Sequence, residues 1–228
     1  MTQSLRRGEA VRVRRGLGAL PAAVLPPVTL LLLVAGCRGG RVPVPAISPG
    51  EAGRQALAEY DRNGDGLLDA AELERCPALK SCLKALDTNG DGRLSADEIA
   101  QRLAVYQRSR VGLQAFACQV TLDGRPLAGA TITFVPEPFL GPALTPASGV
   151  SDGRGLARLQ EAGAELPGVP CGLFRVEVSK KDAGGREMVP ARYNTESVLG
   201  QEVAPDTQGR GVVQFQLRSS KSAKGPGR

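Results

Sequence analysis

One twelve-residue pattern occurs twice in the sequence, and this repeat constrains the fold more than any other feature. Residues 61–72 read DRNGDGLLDAAE and residues 87–98 read DTNGDGRLSADE. Both fit D-x-N-G-D-G-x-L-[DS]-x-x-E, in which acidic and amide side chains stand at alternate positions. A tightly curled loop turns such side chains inward, and a glycine fits its sharpest bend. The repeat therefore predicts two similar loops that surround a hard cation with oxygen atoms.

The repeated pattern resembles the calcium-binding loop of the EF-hand family, which supplies six to eight oxygen ligands. The resemblance assigns the first site to Asp61, Asn63, Asp65, the carbonyl of Leu67, Asp69 and Glu72. It assigns the second site to Asp87, Asn89, Asp91, the carbonyl of Arg93, Ser95 and Glu98. Ser95 replaces an acid and Arg93 adds a positive charge, so we expect the second loop to bind calcium more weakly.

The two loops are unusually close together, since they begin at residues 61 and 87. The helices between them must therefore be short, and Cys76-Pro77 indicates a break because proline suits the first turn of a new helix. Ser48-Pro49 predicts the start of the first helix, and Glu72 and Glu98 complete capping boxes at the loop ends. The expected structure is a compact EF-hand pair, which is unlike a calmodulin-type sensor that opens a methionine-rich groove.

The composition excludes several enzyme classes, because the chain of 228 residues contains no histidine. Ser-His-Asp triads, Cys-His dyads and histidine-ligated zinc are impossible without it. The carboxylates that could form an acid pair are Glu137, Glu161, Asp182 and Glu202. No spacing marks such a pair, and carboxylates in loops are usually solvated, so we expect no enzyme activity. Basic residues are scattered, so no nucleic acid partner is expected.

The amino terminus has the pattern of a secretory signal. Residues 1–16 are rich in arginine, and residues 17–36 are apolar and end in TLLLLVAG before Cys37. The run Val34-Ala35-Gly36-Cys37 resembles the lipobox of bacterial lipoproteins, which implies cleavage before Cys37 and a lipid on its thiol. A plain signal peptide and a membrane helix are the alternatives, although three prolines shorten the apolar run. We expect an extracytoplasmic protein, anchored by lipid to a bacterial membrane and most consistent with the outer membrane or cell surface.

The rest of the chain divides into regions of different character. The predicted regions are a lipoprotein signal peptide at 1–36, a Gly/Pro tether at 37–47, the EF-hand pair at 48–108, a β-sandwich at 111–218 and a disordered basic tail at 219–228. From residue 111 the sequence alternates with period two between turn signals, and Asp123-Gly124 is a hairpin signal. The expected fold class is α+β multidomain, with a compact helical pair followed by an antiparallel Greek-key β-sandwich.

Residues 113–218 also resemble the carboxypeptidase regulatory-like, or transthyretin-like, domains common in secreted proteins of planctomycete-type bacteria. The resemblance rests on the segments 120–136 (VTLDGRPLAGATITFVP), 149–155 (GVSDGRG), 167–176 (PGVPCGLFRV) and 190–194 (PARYN). It implies a seven-stranded Greek-key sandwich that acts as an accessory or structural module and not as a catalyst. The glycines and prolines of these segments are then turn residues.

Four cysteines remain once Cys37 carries the lipid, and an oxidising compartment favours disulfides among them. We predict one bridge between Cys76 and Cys82 and another between Cys118 and Cys171. The other two pairings and buried free thiols remain open.

Taken together, these patterns predict a calcium-binding, lipid-anchored envelope protein with a sandwich for interaction or scaffolding. Calcium outside the cytoplasm is plentiful, so sites of modest affinity would be filled and structural. The alternatives are a calcium-regulated sensor or adhesion module that binds a partner and, less favoured, an accessory subunit of an envelope enzyme. The sandwich's partner, a protein or another envelope component, is not identified by any motif.

Overall fold

The computed structural model describes residues 42–207 and 212–219. The predicted signal peptide, Cys37 and residues 220–228 of the predicted tail lie outside these ranges. Among the described residues, no helix has both the length and the apolar character that a membrane span requires. The described residues belong to one compact unit, in which the helical region and the β-sheets pack directly together.

Four helices and one short ladder form the EF-hand region. The helices are α1 (Pro49–Tyr60), α2 (Ala70–Leu73), α3 (Pro77–Leu86) and α4 (Ala96–Ser109), and the ladder joins β1 (Leu67–Leu68) to β2 (Leu94–Ser95). α2 has only four residues, which confirms the short connection that the loop spacing predicts. α3 begins at Pro77, as the Cys76-Pro77 dipeptide indicates.

Side-chain caps explain where two of the four helices begin. Asp69 caps α2 and Ser95 caps α4, each in a complete capping box, as predicted. Ser48 does precede α1, but within the described chain its side chain makes no capping hydrogen bond. α1 instead starts with Pro49, whose fixed φ angle suits a first helical turn.

Residues 42–47, the described part of the predicted tether, lie against the EF-hand region. Ile47 is buried, and the carbonyl of Pro45 accepts a hydrogen bond from the side chain of Gln107 at 2.6 Å. Gly112 permits a close approach here, since a Cβ atom on it would lie 2.1 Å from the carbonyl oxygen of Val42.

Two packed sheets follow the helices. The strands are β3 (Ala117–Leu122), β4 (Arg125–Pro126), β5 (Thr131–Pro136), β6 (Ala147–Val150), β7 (Leu156–Arg158), β8 (Gln160–Glu161), β9 (Gly172–Ser179), β10 (Gly200–Val203) and β11 (Val213–Leu217). The five-stranded sheet has the order β10-β9-β5-β6-β8 and is antiparallel throughout. In the four-stranded sheet, β3 lies between β11 on one side and β4 and β7 on the other. The α+β class is therefore confirmed.

One strand pair departs from the antiparallel prediction. β11 runs parallel to β3, with Val213 opposite Cys118 and Leu217 opposite Leu122. β11 comes after β10, which belongs to the other sheet, so the chain can enter beside β3 in the same direction without a hairpin. The second sheet is therefore mixed.

The predicted turns and the sandwich core agree with the sequence pattern. Asp123 and Gly124 both have positive φ angles, 51° and 78°, as a type I′ hairpin requires. Turn residues at 152–155 carry the chain from β6 in one sheet to β7 in the other. The space between the sheets is filled by an aromatic cluster of Phe116, Phe134, Phe174 and Phe215.

The structure does not support the two predicted disulfides. Cys76, Cys82, Cys118 and Cys171 are all free and buried. Cys118 lies in β3 opposite Ala157, whereas Cys171 precedes β9 of the other sheet and its sulfur contacts the side-chain amide of Gln114 at 3.1 Å. The Cys82 thiol donates to the carbonyl of Ala78 inside α3 at 3.1 Å, directed into its own helix. Parity and compartment gave no information about these directions.

The EF-hand region and the sandwich share a close interface. α3 packs on β10 and β9, α1 packs on a 3-10 helix at Pro138–Ala143, and α4 packs on a 3-10 helix at Pro205–Thr207. A Cβ atom on Gly200 of β10 would lie 1.9 Å from the carbonyl oxygen of Pro77. Glycine is therefore required where the backbone of the sheet meets the start of α3.

Candidate metal centre

The two loops share several internal hydrogen bonds at matching positions. In the first loop, the carboxylate of Asp61 accepts from the amides of Gly64 at 2.7 Å and Gly66 at 3.0 Å. In the second loop, the carboxylate of Asp87 accepts from the amides of Gly90 at 2.6 Å and Gly92 at 2.9 Å. These four glycines have φ angles between 74° and 82°, which L side chains rarely adopt.

The third and fifth positions of each loop also match. The side-chain oxygens of Asn63 and Asn89 each accept from the amide two residues later, both at 2.8 Å. Asp65 and Asp91 do the same through Oδ1, at 3.0 Å and 2.8 Å. Each aspartate therefore uses Oδ1 to hold its loop. Oδ2 of Asp91 also accepts from Nδ2 of Asn89 at 3.3 Å, whereas no bond within the first loop is made by Oδ2 of Asp65.

The closing glutamates are buried and tie the two ends of each loop together. Glu72 accepts from the amides of Arg62 at 2.7 Å and Asp69 at 3.0 Å. Glu98 accepts from the amides of Thr88 at 3.1 Å and Ser95 at 2.9 Å. Both glutamates are only 5–6% exposed. Their carboxylates therefore face the inside of the loop and not bulk solvent.

Hydrogen bonding keeps both glutamates ionised. The amide of Asp69, followed by the amides of Arg62 and Asn63, holds the pKa of Glu72 below its usual value. Burial alone would raise the pKa of Glu98, but donors from Ser95 and Thr88 outweigh it and lower the pKa. A calcium ligand must be deprotonated, so these donors favour the form that binds a cation.

The β1–β2 ladder places the two loops side by side. Leu67 lies opposite Ser95 and Leu68 opposite Leu94, and Leu68 and Leu94 are fully buried between the helices. An ion pair also crosses from one loop to the other, because Arg93 Nη1 lies 3.5 Å from Asp65 Oδ2. The sequence pattern pointed to Arg93 as a weak point of the second loop and missed its contact with the first.

The oxygen atoms that each loop offers suit calcium. The side chains that carry them do not converge on one position where an ion could sit. Each loop offers carboxylate and amide oxygens, the hard ligands that calcium takes, and a glycine at the sharp bend. Across the described ranges, no group of three or more acidic or cysteine side chains stands close enough to hold a metal ion. The predicted ligands bond instead to amides of their own loops. Binding would therefore redirect side chains within a loop whose backbone already has the required bends.

Two carboxylates that the sequence suggested were solvated are in fact buried between the EF-hand region and the sandwich. Glu137 is 2% exposed and accepts from the hydroxyl of Tyr60 at 3.3 Å. Glu202 is 6% exposed and bonds to Arg102 and Tyr106 of α4. No local pattern marks either glutamate, because their partners lie 77 to 100 residues away in the sequence.

Comparison with known protein families agrees with this geometry. A family model described as EF hand matches residues 54–77 and 79–104, which include both loops. No curated protein and no solved structure matches the chain. The EF-hand region is thus supported by sequence comparison and by structure, and it favours calcium as the ligand. The resemblance of residues 113–218 to the carboxypeptidase regulatory-like domains stays a prediction, as do the individual calcium ligands.

Proposed function

We propose that this protein is a lipid-anchored cell-envelope protein in which two calcium ions stabilise the EF-hand pair. The sandwich fixed to that pair serves as a non-catalytic module for interaction or scaffolding. The observation that carries the calcium proposal is the matching set of hydrogen bonds in the two loops. Calcium would add a cation to the loop oxygens, stabilising acidic side chains that otherwise repel one another.

A structural role is favoured over a sensor role by the position of the helices. A sensor exposes apolar helix surface to a partner when calcium binds. Here α3 packs on β9 and β10, and α4 reaches the carboxylate of Glu202 through Arg102. The sandwich of the same chain therefore covers surface that a sensor would offer to another protein.

The loops are also continuous with helices that contact the sandwich. Tyr60 ends α1, contacts Glu137 and directly precedes Asp61. Ser95 caps α4, whose Arg102 and Tyr106 lie on Glu202. Calcium in either loop would therefore hold in place the end of a helix that packs against the sandwich.

A calcium titration of the purified full chain by calorimetry tests this proposal. We expect two sites of modest affinity, in the range of about 10⁻⁴–10⁻³ M found for extracellular modules. Asp61→Ala should remove one site and Asp87→Ala the other, since each anchors its own loop. Asp182→Asn, in a surface turn of the sandwich, is the control. The absence of binding heat at millimolar calcium would contradict the calcium proposal.

Melting curves in calcium and in chelator give a second readout. A ligand that binds only the folded state stabilises it by RT ln(1 + c/Kd), where c is the free ligand concentration, so the effect grows as c rises above Kd. We therefore expect calcium to raise the melting temperature of the full chain, and to raise it less in either aspartate variant.

The lipid anchor has a separate test. The apolar run before Cys37 supports lipidation of that residue. Expression in a diderm bacterium should give a protein that partitions into detergent and carries an acyl mass on its amino-terminal peptide. Cys37→Ser should abolish both, whereas Cys76→Ser should change neither. A wild-type protein without acyl mass would contradict the anchor and leave the calcium proposal standing.

A further inference from the structure

We propose that Arg93 of the second loop lowers the calcium affinity of the first loop, through its ion pair with the carboxylate of Asp65. This inference rests on the proposed calcium function and adds an influence of one loop on the calcium affinity of the other. The side chain leaves its own loop and places Nη1 3.5 Å from Oδ2 of Asp65. The backbone amide of Arg93 stays in its own loop, where it donates to Asp91 at 2.8 Å.

The two carboxylate oxygens of Asp65 have different partners. Oδ1 accepts from the amide of Leu67 at 3.0 Å and so holds the bend of the first loop. Oδ2 is the oxygen left for a cation, and the guanidinium of Arg93 lies beside it. The charge of Arg93 therefore lies beside the oxygen through which Asp65 would bind calcium.

Electrostatics predict that calcium and Arg93 compete at this oxygen. Calcium lies about 2.3–2.6 Å from its oxygen ligands, so a calcium ion on Oδ2 would stand within roughly 6 Å of the guanidinium nitrogen. A divalent cation and a guanidinium at that distance repel each other. Filling the first loop must therefore displace the side chain of Arg93 or tolerate its charge.

Before calcium arrives, the same arginine helps the first loop. That loop carries the acids Asp61, Asp65, Asp69 and Glu72. A nearby guanidinium offsets part of their mutual repulsion, so Arg93 stabilises the metal-free loop while it weakens metal binding. The two effects have opposite signs, and this combination distinguishes the proposal from a general loss of stability.

The influence runs only from the second loop to the first. The residue of the first loop that matches Arg93 is Leu67, which has no charge to place on the second loop. The side chains of Arg93 and Asp65 are 43% and 42% exposed, so solvent and salt screen their interaction. We therefore expect an effect of about three- to tenfold in affinity, and one that depends on ionic strength.

The test uses the full chain and a readout that separates the two loops. The amides of Gly66 and Gly92 each donate to the first aspartate of their own loop. Their NMR signals should therefore report the filling of the first and second loop respectively during a calcium titration. The variants are Arg93→Gln, which removes the charge, and Arg93→Lys, which retains it. Lys84→Gln, an exposed lysine of α3, is the matched control for loss of one positive charge.

In Arg93→Gln at low salt, the dissociation constant reported by Gly66 should fall about three- to tenfold, and the gain should shrink to less than about twofold in 0.5 M KCl. The melting temperature in chelator should fall slightly. Arg93→Lys and Lys84→Gln should stay close to wild type at Gly66.

Two outcomes would overturn the inference, and they differ from failure of the proposed function. If wild type binds calcium but Arg93→Gln leaves the Gly66 affinity unchanged, Arg93 does not act on the first loop. If only the Gly92 signal responds, Arg93 acts within its own loop alone. If neither amide of the wild type shifts at up to about 10 mM calcium, the proposed calcium function itself fails, and the inference with it.

Discussion

The two ends of the interface between the EF-hand region and the sandwich each bury one glutamate, and the two are stabilised differently. At the α4 end, Glu202 meets Arg102, whose guanidinium donates to both of its oxygens at 2.5 Å and 3.0 Å. At the α1 end, Glu137 meets Tyr60, whose hydroxyl lies 3.3 Å from Oε2. One end therefore bonds a buried carboxylate directly to a countercharge, whereas at the other end the carboxylate accepts from a neutral hydroxyl.

The α4 end is a closed network. Arg102 is 11% exposed in its side chain and also bonds to Asp206 at 2.8 Å and 2.9 Å. Burial alone would lower the pKa of this arginine, but its bonds to Glu202 and Asp206 raise it instead. The hydroxyl of Tyr106 donates to the same glutamate. Each buried polar group of this network has a charged or hydrogen-bonding partner.

The α1 end is incomplete. Within the described ranges, Oε1 of Glu137 is buried and has no hydrogen-bond partner. Burial raises the pKa of Glu137 above its usual 4.5, while Arg175, Tyr60 and the amide of Ala78 at the start of α3 partly oppose it. The EF-hand region is therefore held to the sandwich by a charge pair at one end and by a carboxyl group sensitive to protonation at the other.

The largest expected effect comes from breaking the charge pair. Arg102→Met should lower the free energy of unfolding by about 3–5 kcal/mol, because it leaves the carboxylate of Glu202 buried without a countercharge. Chemical denaturation followed by circular dichroism measures this loss. The double variant Arg102→Met with Glu202→Met should recover most of it, since an apolar pair can replace a buried ion pair. A single variant as stable as wild type would show that the pair contributes little.

A smaller effect with a definite pH dependence is expected at Glu137. A carboxyl group whose folded pKa is raised stabilises the protein below its unfolded pKa and loses this contribution as pH rises through the folded pKa. Glu137→Gln should therefore become more stable relative to wild type as pH rises above about 4.5, until Glu137 is fully ionised in the folded protein.

The quantity to measure across pH is the difference in the free energy of unfolding between wild type and Glu137→Gln. Carboxylates with lowered pKa values, such as Glu72 and Glu98, contribute equally to both and cancel. Thr195→Ser, at an exposed position and without a change of charge, is the control. A difference that does not change between pH 4 and pH 8 would mean that Glu137 is not titrating with a raised pKa.

The smallest expected effect comes from the tyrosines that face the two glutamates. Tyr60→Phe should cost about 1 kcal/mol at neutral pH, because it removes a donor from a carboxylate with few others. Tyr106→Phe should cost less, since Arg102 still donates to both oxygens of Glu202. Thermal melting of the two variants side by side compares them, and a larger loss in Tyr106→Phe would reverse the ranking of the two ends.

The sequence predicted the features that short segments specify on their own. The loops, capping boxes, the break at Pro77 and the Asp123-Gly124 hairpin follow from residue type and spacing, and all are present. The interface did not follow, because nothing near Glu202 in the sequence indicates that an arginine 100 residues earlier will meet it. The Arg93–Asp65 contact was missed for the same reason, since it depends on how two loops lie side by side.

The free cysteines illustrate a second limit. Compartment and an even count favoured disulfides, but whether two sulfurs can meet depends on the direction of each side chain. Cys118 lies in β3 of one sheet, and Cys171 lies in the loop before β9 of the other sheet. The Cys82 thiol points to its own helix. Such directions are properties of the assembled fold.

The parallel pairing of β3 with β11 has a consequence for how the chain reaches its native state. Cys118 of β3 pairs with Val213 of β11. The hydrogen bonds on this side of β3 can therefore form only after β11 has been synthesised. Contacts of such large sequence separation slow folding, because a long loop must close first. During synthesis β3 would present an open strand edge until β11 emerges, which is a hazard for pairing with other chains. A truncation before residue 212 would make that transient state permanent.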